Sequence, residues 1–102
     1  MTTNELTKNT LEFLTMNGCF VWRSNNVPVM KHRSLNGIKG VPDIIGLTRA
    51  GKFLGVEIKN KDTKDKLSAE QQSFFYNILE KNGLYFVVNS IEDFNASITQ
   101  WL

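Results

Sequence analysis

Residues 40–59 read GVPDIIGLTRAGKFLGVEIK, from Gly40 to Lys59. Two apolar runs flank Arg49-Ala50-Gly51, and the pattern predicts a β-hairpin. Side chains alternate faces along a strand, so Glu57 and Lys59 share one. The loop decides the rest. A three-residue loop, Arg49-Ala50-Gly51, lets Gly51 take the left-handed conformation such hairpins need, sets Thr48 against Lys52 and puts Asp43 opposite Glu57. A two-residue turn, Ala50-Gly51, slips the register by one and sends the two acids to opposite faces.

The surroundings of these charges are apolar. Ile44, Ile45 and Leu47 follow Asp43, and Phe53, Leu54, Val56 and Ile58 flank Glu57. Strands apolar on both faces are expected to be buried on both. A carboxylate there is costly unless it is paired or bound to a cation. One reading is an Asp–Lys or Glu–Lys ion pair at a strand end. The other is a cluster of oxygen ligands suited to a hard divalent ion, Mg²⁺ or Mn²⁺. Such an ion activates water and neutralises charge developing on a phosphoryl oxygen, and Lys59 adds a compact positive charge beside it.

Upstream, Thr2 to Asn17 reads as a helix with Leu6, Leu11, Phe13 and Leu14 on its apolar side and Gly18 as its stop. Thr2-x-x-Glu5 fits a capping box, while Glu5 could also reach the sheet end as a further acid. Cys19 to Arg23 is a short apolar strand, and Cys19 among Phe20, Val21 and Trp22 reads as a buried thiol. Ser24 to Gly40 is a long connection carrying turn signals, with a short strand possible at Val27 to Met30. No acid occurs between Glu12 and Asp43, whereas Arg23, Lys31, Arg33 and Lys39 do, with His32 beside them. An all-basic connection leading to an acidic site points to a polyanionic ligand.

Downstream, Asn60 to Lys66 is a solvated polar loop in which Lys61 adds another cation. Ser68 opens a second helix running to about Asn82, with Phe75, Ile78 and Leu79 as its buried stripe and Phe74 beside it. Ser68-x-x-Gln71 is again a capping box, yet Gln71 shares the sheet-facing side with Phe75 and Ile78. Leu84 to Val88 is a strand. Ser90 caps a last helix in which Phe94, Ile98 and Trp101 recur, with Trp101 assigned to the core or a dimer contact. The order of elements predicts an α/β domain, a small mixed β-sheet flanked by helices on both faces.

A chain of 102 residues is expected to form one domain, over 1–102. Its net charge of +2 does not by itself establish a polyanionic partner, so the distribution of charge carries that argument. A single cysteine excludes an internal disulfide framework and fits a reducing compartment. Met1 to Asn9 is polar, unlike a signal peptide, and no apolar run reaches a membrane span.

Pro42-Asp43, thirteen residues and then Glu57-Ile58-Lys59 resemble the PD-(D/E)xK nuclease signature. Glu5 on a preceding helix, Val21-Trp22-Arg23-Ser24-Asn25 and Leu67-Ser68-Ala69-Glu70-Gln71 extend the likeness to the virus-type replication-repair nuclease (VRR-NUC) branch. The resemblance implies a restriction-endonuclease-like fold and Mg²⁺- or Mn²⁺-dependent DNA cleavage. It makes Asp43 and Glu57 metal ligands, with the Ile58 carbonyl as a third, and Lys59 the catalytic lysine. Gln71 and Glu5 would support the site, and Arg23, Lys31, His32, Arg33, Lys39 and Lys61 would contact DNA. Short members of this branch imply a phage or plasmid setting, the cytoplasm of a bacterial or phage-infected cell, a homodimer, and branched DNA such as four-way (Holliday) junctions. Two rival readings remain at this level. One is a non-catalytic nucleic-acid-binding module on the same fold, and the other an interaction protein whose basic loop meets an acidic partner.

Overall fold

The computed structural model describes residues 1–24, 39–60 and 66–101. The expected strand at Val27 to Met30 and the DNA contacts assigned to Lys31, His32, Arg33 and Lys61 lie outside the described residues. The first helix, α1 (Thr3–Met16), starts at Thr2, whose hydroxyl accepts from the Glu5 N–H while the Glu5 carboxylate accepts from the Thr2 N–H. Its buried side includes two threonines as well as Leu6 and Leu14. Thr7 and Thr10 can be buried because their hydroxyls donate to carbonyls one turn back, at Thr3 and Leu6 (2.8 and 2.7 Å).

Four strands follow the chain in order: β1 (Phe20–Arg23), β2 (Ile44–Leu47), β3 (Phe53–Ile58) and β4 (Leu84–Val88). The sheet is ordered β1-β2-β3-β4, with the first two pairings antiparallel and the last parallel. A parallel neighbour needs a crossover, and α2 (Ala69–Glu80) supplies it. The chain closes with α3 (Ile91–Ile98) and a 3-10 turn (Thr99–Trp101). A mixed sheet with helices on both faces is the small restriction-endonuclease-like arrangement expected from the sequence.

The loop between β2 and β3 takes the three-residue form. Thr48 N–H donates to the Lys52 carbonyl (2.9 Å), Gly51 N–H donates to the Thr48 carbonyl (2.9 Å), and Gly51 has φ +86°. Leu47 therefore pairs with Phe53 and Ile44 with Val56. Entry into β2 is held from the other side. Gly40 has φ +79°, and a Cβ there would run into the backbone of Glu70 and Gln71 at the start of α2.

One face of the sheet holds the core. Ile44, Leu54, Val56, Ile58 and Val88 pack with Leu6 and Leu14 of α1 and with Phe94 and Ile98 of α3. Phe94 meets the edges of Phe13 and Phe86, with ring centroids 5.6 and 6.1 Å apart. The other face corrects an expectation. β3 is buried apart from its first residue, but β1 and the end of β2 are not. The cause is coverage: α2 rests on β3 and β4. Two further residues depart from their expected places. Leu79 is exposed, because the sheet-facing line of α2 runs through Gln71, Phe74, Phe75 and Ile78, and Leu79 is a further 100° round the helix. Trp101 is exposed too, which removes the core half of its reading and agrees with the other half, a dimer contact: α3 ends at Ile98 and the chain tightens into the 3-10 turn before reaching it.

The two turn glycines should respond differently to a side chain. Gly51 faces open space, so Gly51→Ala should cost about 1–2 kcal/mol, the left-handed penalty alone. Gly51→Asn should cost less, because asparagine tolerates that conformation. Gly40→Ala adds a clash with helix backbone and should cost more than Gly51→Ala in urea denaturation. Equal losses would mean that the entry to β2 is not wedged against α2.

Candidate active site

Asp43 directly precedes β2. One step beyond the Ile44–Val56 pair, the register sets it opposite Glu57. Its Oδ2 accepts a hydrogen bond from the Ile58 N–H (2.8 Å), which ties the acid to the strand that carries Glu57 and Lys59. On its other side the Asp43 carbonyl accepts from Ser24 N–H (3.0 Å), and the Ser24 hydroxyl donates to the Pro42 carbonyl. The Pro42-Asp43 corner is thus pinned by β1 and β3 together.

Glu57 is 1% exposed. Burial is the largest force on its carboxyl, followed by the hydrogen bond and the negative charge of Asp43, and together they raise its pKa from 4.5 to about 8. The Tyr85 hydroxyl and the Lys59 charge oppose that rise without overcoming it. At neutral pH and without a cation, Glu57 therefore keeps its proton, as a carboxyl buried against a second acid does. A simple lysine ion pair would have produced the opposite shift.

Tyr85 is the site residue that the sequence reading missed. Its hydroxyl donates to Glu57 Oε2 (3.3 Å), and burial with the Glu57 charge pushes its own pKa up. Its ring leans on Phe75, centroids 4.7 Å apart, and its Cα pairs with Gly55. A Cβ at Gly55 would press on Ile78 and Pro42, so the missing side chain leaves room for this packing. Nothing in LYFVV marks Tyr85 until β4 is known to lie parallel to β3 in this register.

The other expected residues divide. Lys59 is half-buried, and its backbone is locked on both sides: its N–H donates to the Val88 carbonyl (2.9 Å) and its carbonyl accepts from Asn89 Nδ2 (2.8 Å). Ile58 spans the two acids through the N–H that holds Asp43. Gln71 lies at the start of α2, against Gly40, where its Oε1 accepts from Ser68 N–H (2.8 Å) and completes the cap. Glu5 is exposed and caps α1, and the Thr2 N–H draws its carboxyl below the ordinary range. Arg23 pairs with Ile44, out of phase with Asp43, and its Nη1 donates to Asn4 Oδ1 (2.9 Å) on α1. Lys39 is exposed just before Gly40.

Among the described residues, no group of three or more His, Cys, Asp or Glu is gathered in one place. Two facing carboxylates, one of them neutralised by a proton, nonetheless suit a hard divalent ion, which commonly takes one or two carboxylates and completes its shell with water and phosphate. A cation bound there would displace the proton of Glu57. The family model of the VRR-NUC domain matches residues 28–92, more than half of the chain. The matched span contains Asp43, Glu57, Ile58, Lys59, Gln71 and Tyr85, and leaves α1 with Glu5 outside. No curated protein and no solved structure matches the chain.

Two outcomes follow. Between about pH 4.5 and about pH 8 the folded protein holds a proton on Glu57 that the unfolded chain releases. Metal-free stability should therefore fall as pH rises through that window, by up to about 1.4 kcal/mol per pH unit from this residue. Glu57→Gln should flatten the profile, and an unchanged slope in thermal melts would place the shift elsewhere. Tyr85→Phe should weaken Mn²⁺ binding about tenfold or more in calorimetry, since outer-shell partners orient a ligating carboxylate. Unaltered Mn²⁺ affinity would make the tyrosine a packing residue.

Proposed function

The chain belongs to the VRR-NUC domain family, a nuclease domain family, and from that premise we propose that it is an Mg²⁺- or Mn²⁺-dependent endonuclease hydrolysing phosphodiester bonds in DNA. The observation that carries the proposal is the facing Asp43–Glu57 pair, with Glu57 buried, Asp43 half-buried, and Lys59 two residues beyond Glu57. In this reading Asp43, Glu57 and the Ile58 carbonyl hold the ion. When bound, it supplies a Lewis acid for the phosphoryl oxygen and a lowered pKa for attacking water.

The chain's own groups do the remaining work. The Ile58 N–H fixes Asp43, so that acid need not reorganise during reaction. Tyr85 orients Glu57. Lys59 presents its charge to the oxygens on which negative charge grows, and its locked backbone limits where that charge can go. Gln71, at the same end of the sheet, offers its remaining donors to a water or a phosphate oxygen. Arg23 and Lys39, together with Lys31, His32, Arg33 and Lys61, supply phosphate contacts along the duplex. Glu5 serves as the cap of α1, with a site role only if that cap opens.

The finer reading adds branched DNA, four-way junctions in particular, cut by a homodimer in the cytoplasm of a bacterial or phage-infected cell. Its support is the resemblance of the short chain to stand-alone members of the branch, together with the fit of a twofold enzyme to a twofold substrate. No helix among the described residues is long and apolar enough to cross a membrane.

Labelled four-way junction, flap and plain duplex DNA, each with Mg²⁺, Mn²⁺ or EDTA, test the proposal. Cutting should need the divalent ion and should prefer the junction. Asp43→Ala and Glu57→Ala should abolish it while DNA binding persists, and Lys59→Ala should slow it by orders of magnitude. Binding without cutting under every metal would leave a non-catalytic nucleic-acid module.

A further inference from the structure

Three of the hydrogen bonds around Asp43 differ in what they ask of the sequence. The Ile58 N–H donates to Asp43 Oδ2 (2.8 Å), and the Ser24 N–H donates to the Asp43 carbonyl (3.0 Å). Both donors are backbone groups, which any residue but proline supplies. The third bond runs from the Ser24 hydroxyl to the Pro42 carbonyl. It depends on residue 24 being able to donate from its side chain. Ser24 sits one step beyond the last β1–β2 pair, Arg23 with Ile44, and so lies level with Asp43 itself.

The Pro42 carbonyl belongs to the rigid peptide plane that leads into Asp43, so the two soft dihedrals of Pro42 orient that plane. The pyrrolidine ring locks one of them, φ. The ring is buried, and its Cγ lies 2.9 Å from where a Cβ on Gly55 of β3 would stand. Two residues earlier, Gly40 is wedged against the start of α2. The freedom left at the corner is ψ of Pro42. Turning about it swings the Pro42 carbonyl and redirects the Asp43 side chain together. The Ser24 hydroxyl holds that carbonyl. A buried carbonyl deprived of its donor shifts to find another or draws in water. Neither leaves the corner where it was. We infer that Ser24 is the positioning residue of Asp43: through the Pro42 carbonyl its hydroxyl aims the carboxylate at the Ile58 N–H and at Glu57, and so sets the affinity of the site for a divalent ion and the rate of cleavage, while touching neither ion nor DNA. Catalytic groups tolerate only about 0.5 Å of misplacement, and about 1 Å can cost a hundredfold in rate. The last residue of the chain's first edge strand thereby serves the reaction.

The inference rests on the proposed nuclease reading for the ion and the reaction, and Ser24→Ala and Ser24→Thr test it, the second keeping the hydroxyl. Without metal, the Ile58 N–H reports on Asp43 directly. In Ser24→Ala its hydrogen exchange should quicken about tenfold or more relative to the Lys59 N–H, which is bonded to the Val88 carbonyl instead. Mn²⁺ affinity in calorimetry should fall about tenfold or more. For DNA cutting, kcat should fall about tenfold or more while KM stays within about twofold. Ser24→Thr should stay within about threefold of wild type in all of these. A Ser24→Ala protein with a lower melting temperature but an unchanged exchange ratio, Mn²⁺ affinity and kcat would make the serine purely structural and overturn the inference. A raised KM with unchanged kcat would place the hydroxyl on DNA and overturn it too. So would a Ser24→Thr protein as impaired as Ser24→Ala. The two readings fail separately. Wild type that binds Mn²⁺ but cuts no DNA, with weaker Mn²⁺ binding in Ser24→Ala, would remove the nuclease and keep the positioning of the ligand. Wild type and Ser24→Ala cutting equally well would do the reverse. Wild type that binds no Mn²⁺ would overturn both.

Discussion

A strand pair can slip only in whole residues, and each slip exchanges its two faces. That constraint acts with full force on β2 and β3, because the acid at the end of each has to meet the other. The three-residue turn fixes the step. With Gly51 in the left-handed region and Thr48 bonded to Lys52, every pair from Leu47–Phe53 to Ile44–Val56 is set, and Asp43 arrives opposite Glu57. The Ile58 N–H then closes on Asp43 and holds the far end of the same ladder. The turn and the site are thus the two ends of one register.

The site that results is electrostatically unfinished. A buried glutamic acid beside an aspartate retains a proton well into the neutral range, even with Lys59 nearby. The proton satisfies the pair in the absence of a cation and becomes the competitor of any cation that enters. In the proposed nuclease, metal affinity would be coupled to pH, because Glu57 would lose its proton as the ion binds. The tyrosine hydroxyl partly offsets the cost of the ionised form, and its ring, wedged between Phe75 and the gap over Gly55, is held by packing.

The parts of the fold that local chemistry determines were legible in the sequence. Gly51 and the two misplaced acids announced the hairpin, and the Thr2–Glu5 and Ser68–Gln71 spacings announced where α1 and α2 begin. The same spacings also hid something, since one side chain can cap a helix or serve a site, and sequence does not choose between the two uses. Thr7 and Thr10 look like surface residues until their hydroxyls are seen to bond within the helix. Tyr85 needed a relation between strands joined by a helix, which no periodicity within LYFVV encodes. The β1–β2 half of the sheet that α2 leaves uncovered among the described residues was misread for a related reason: apolar residues on both sides of a strand announce burial, but the number of helices available to cover each face belongs to the tertiary fold.

The strand order repeats the chain order, β1-β2-β3-β4, so no strand is inserted between two that were already neighbours. This divides the connections by how freely they can change in evolution or by grafting. The link from β1 to β2 joins adjacent strands, and doubling the length of a loop adds only about 0.6 kcal/mol to its closure. Residues can be inserted there without re-threading the sheet. The link from β2 to β3 joins neighbours as well, but a single added residue would turn one acid away from the other. The topology tolerates length variation between β1 and β2 and forbids it in the β2–β3 turn, whose three residues decide whether Asp43 and Glu57 meet.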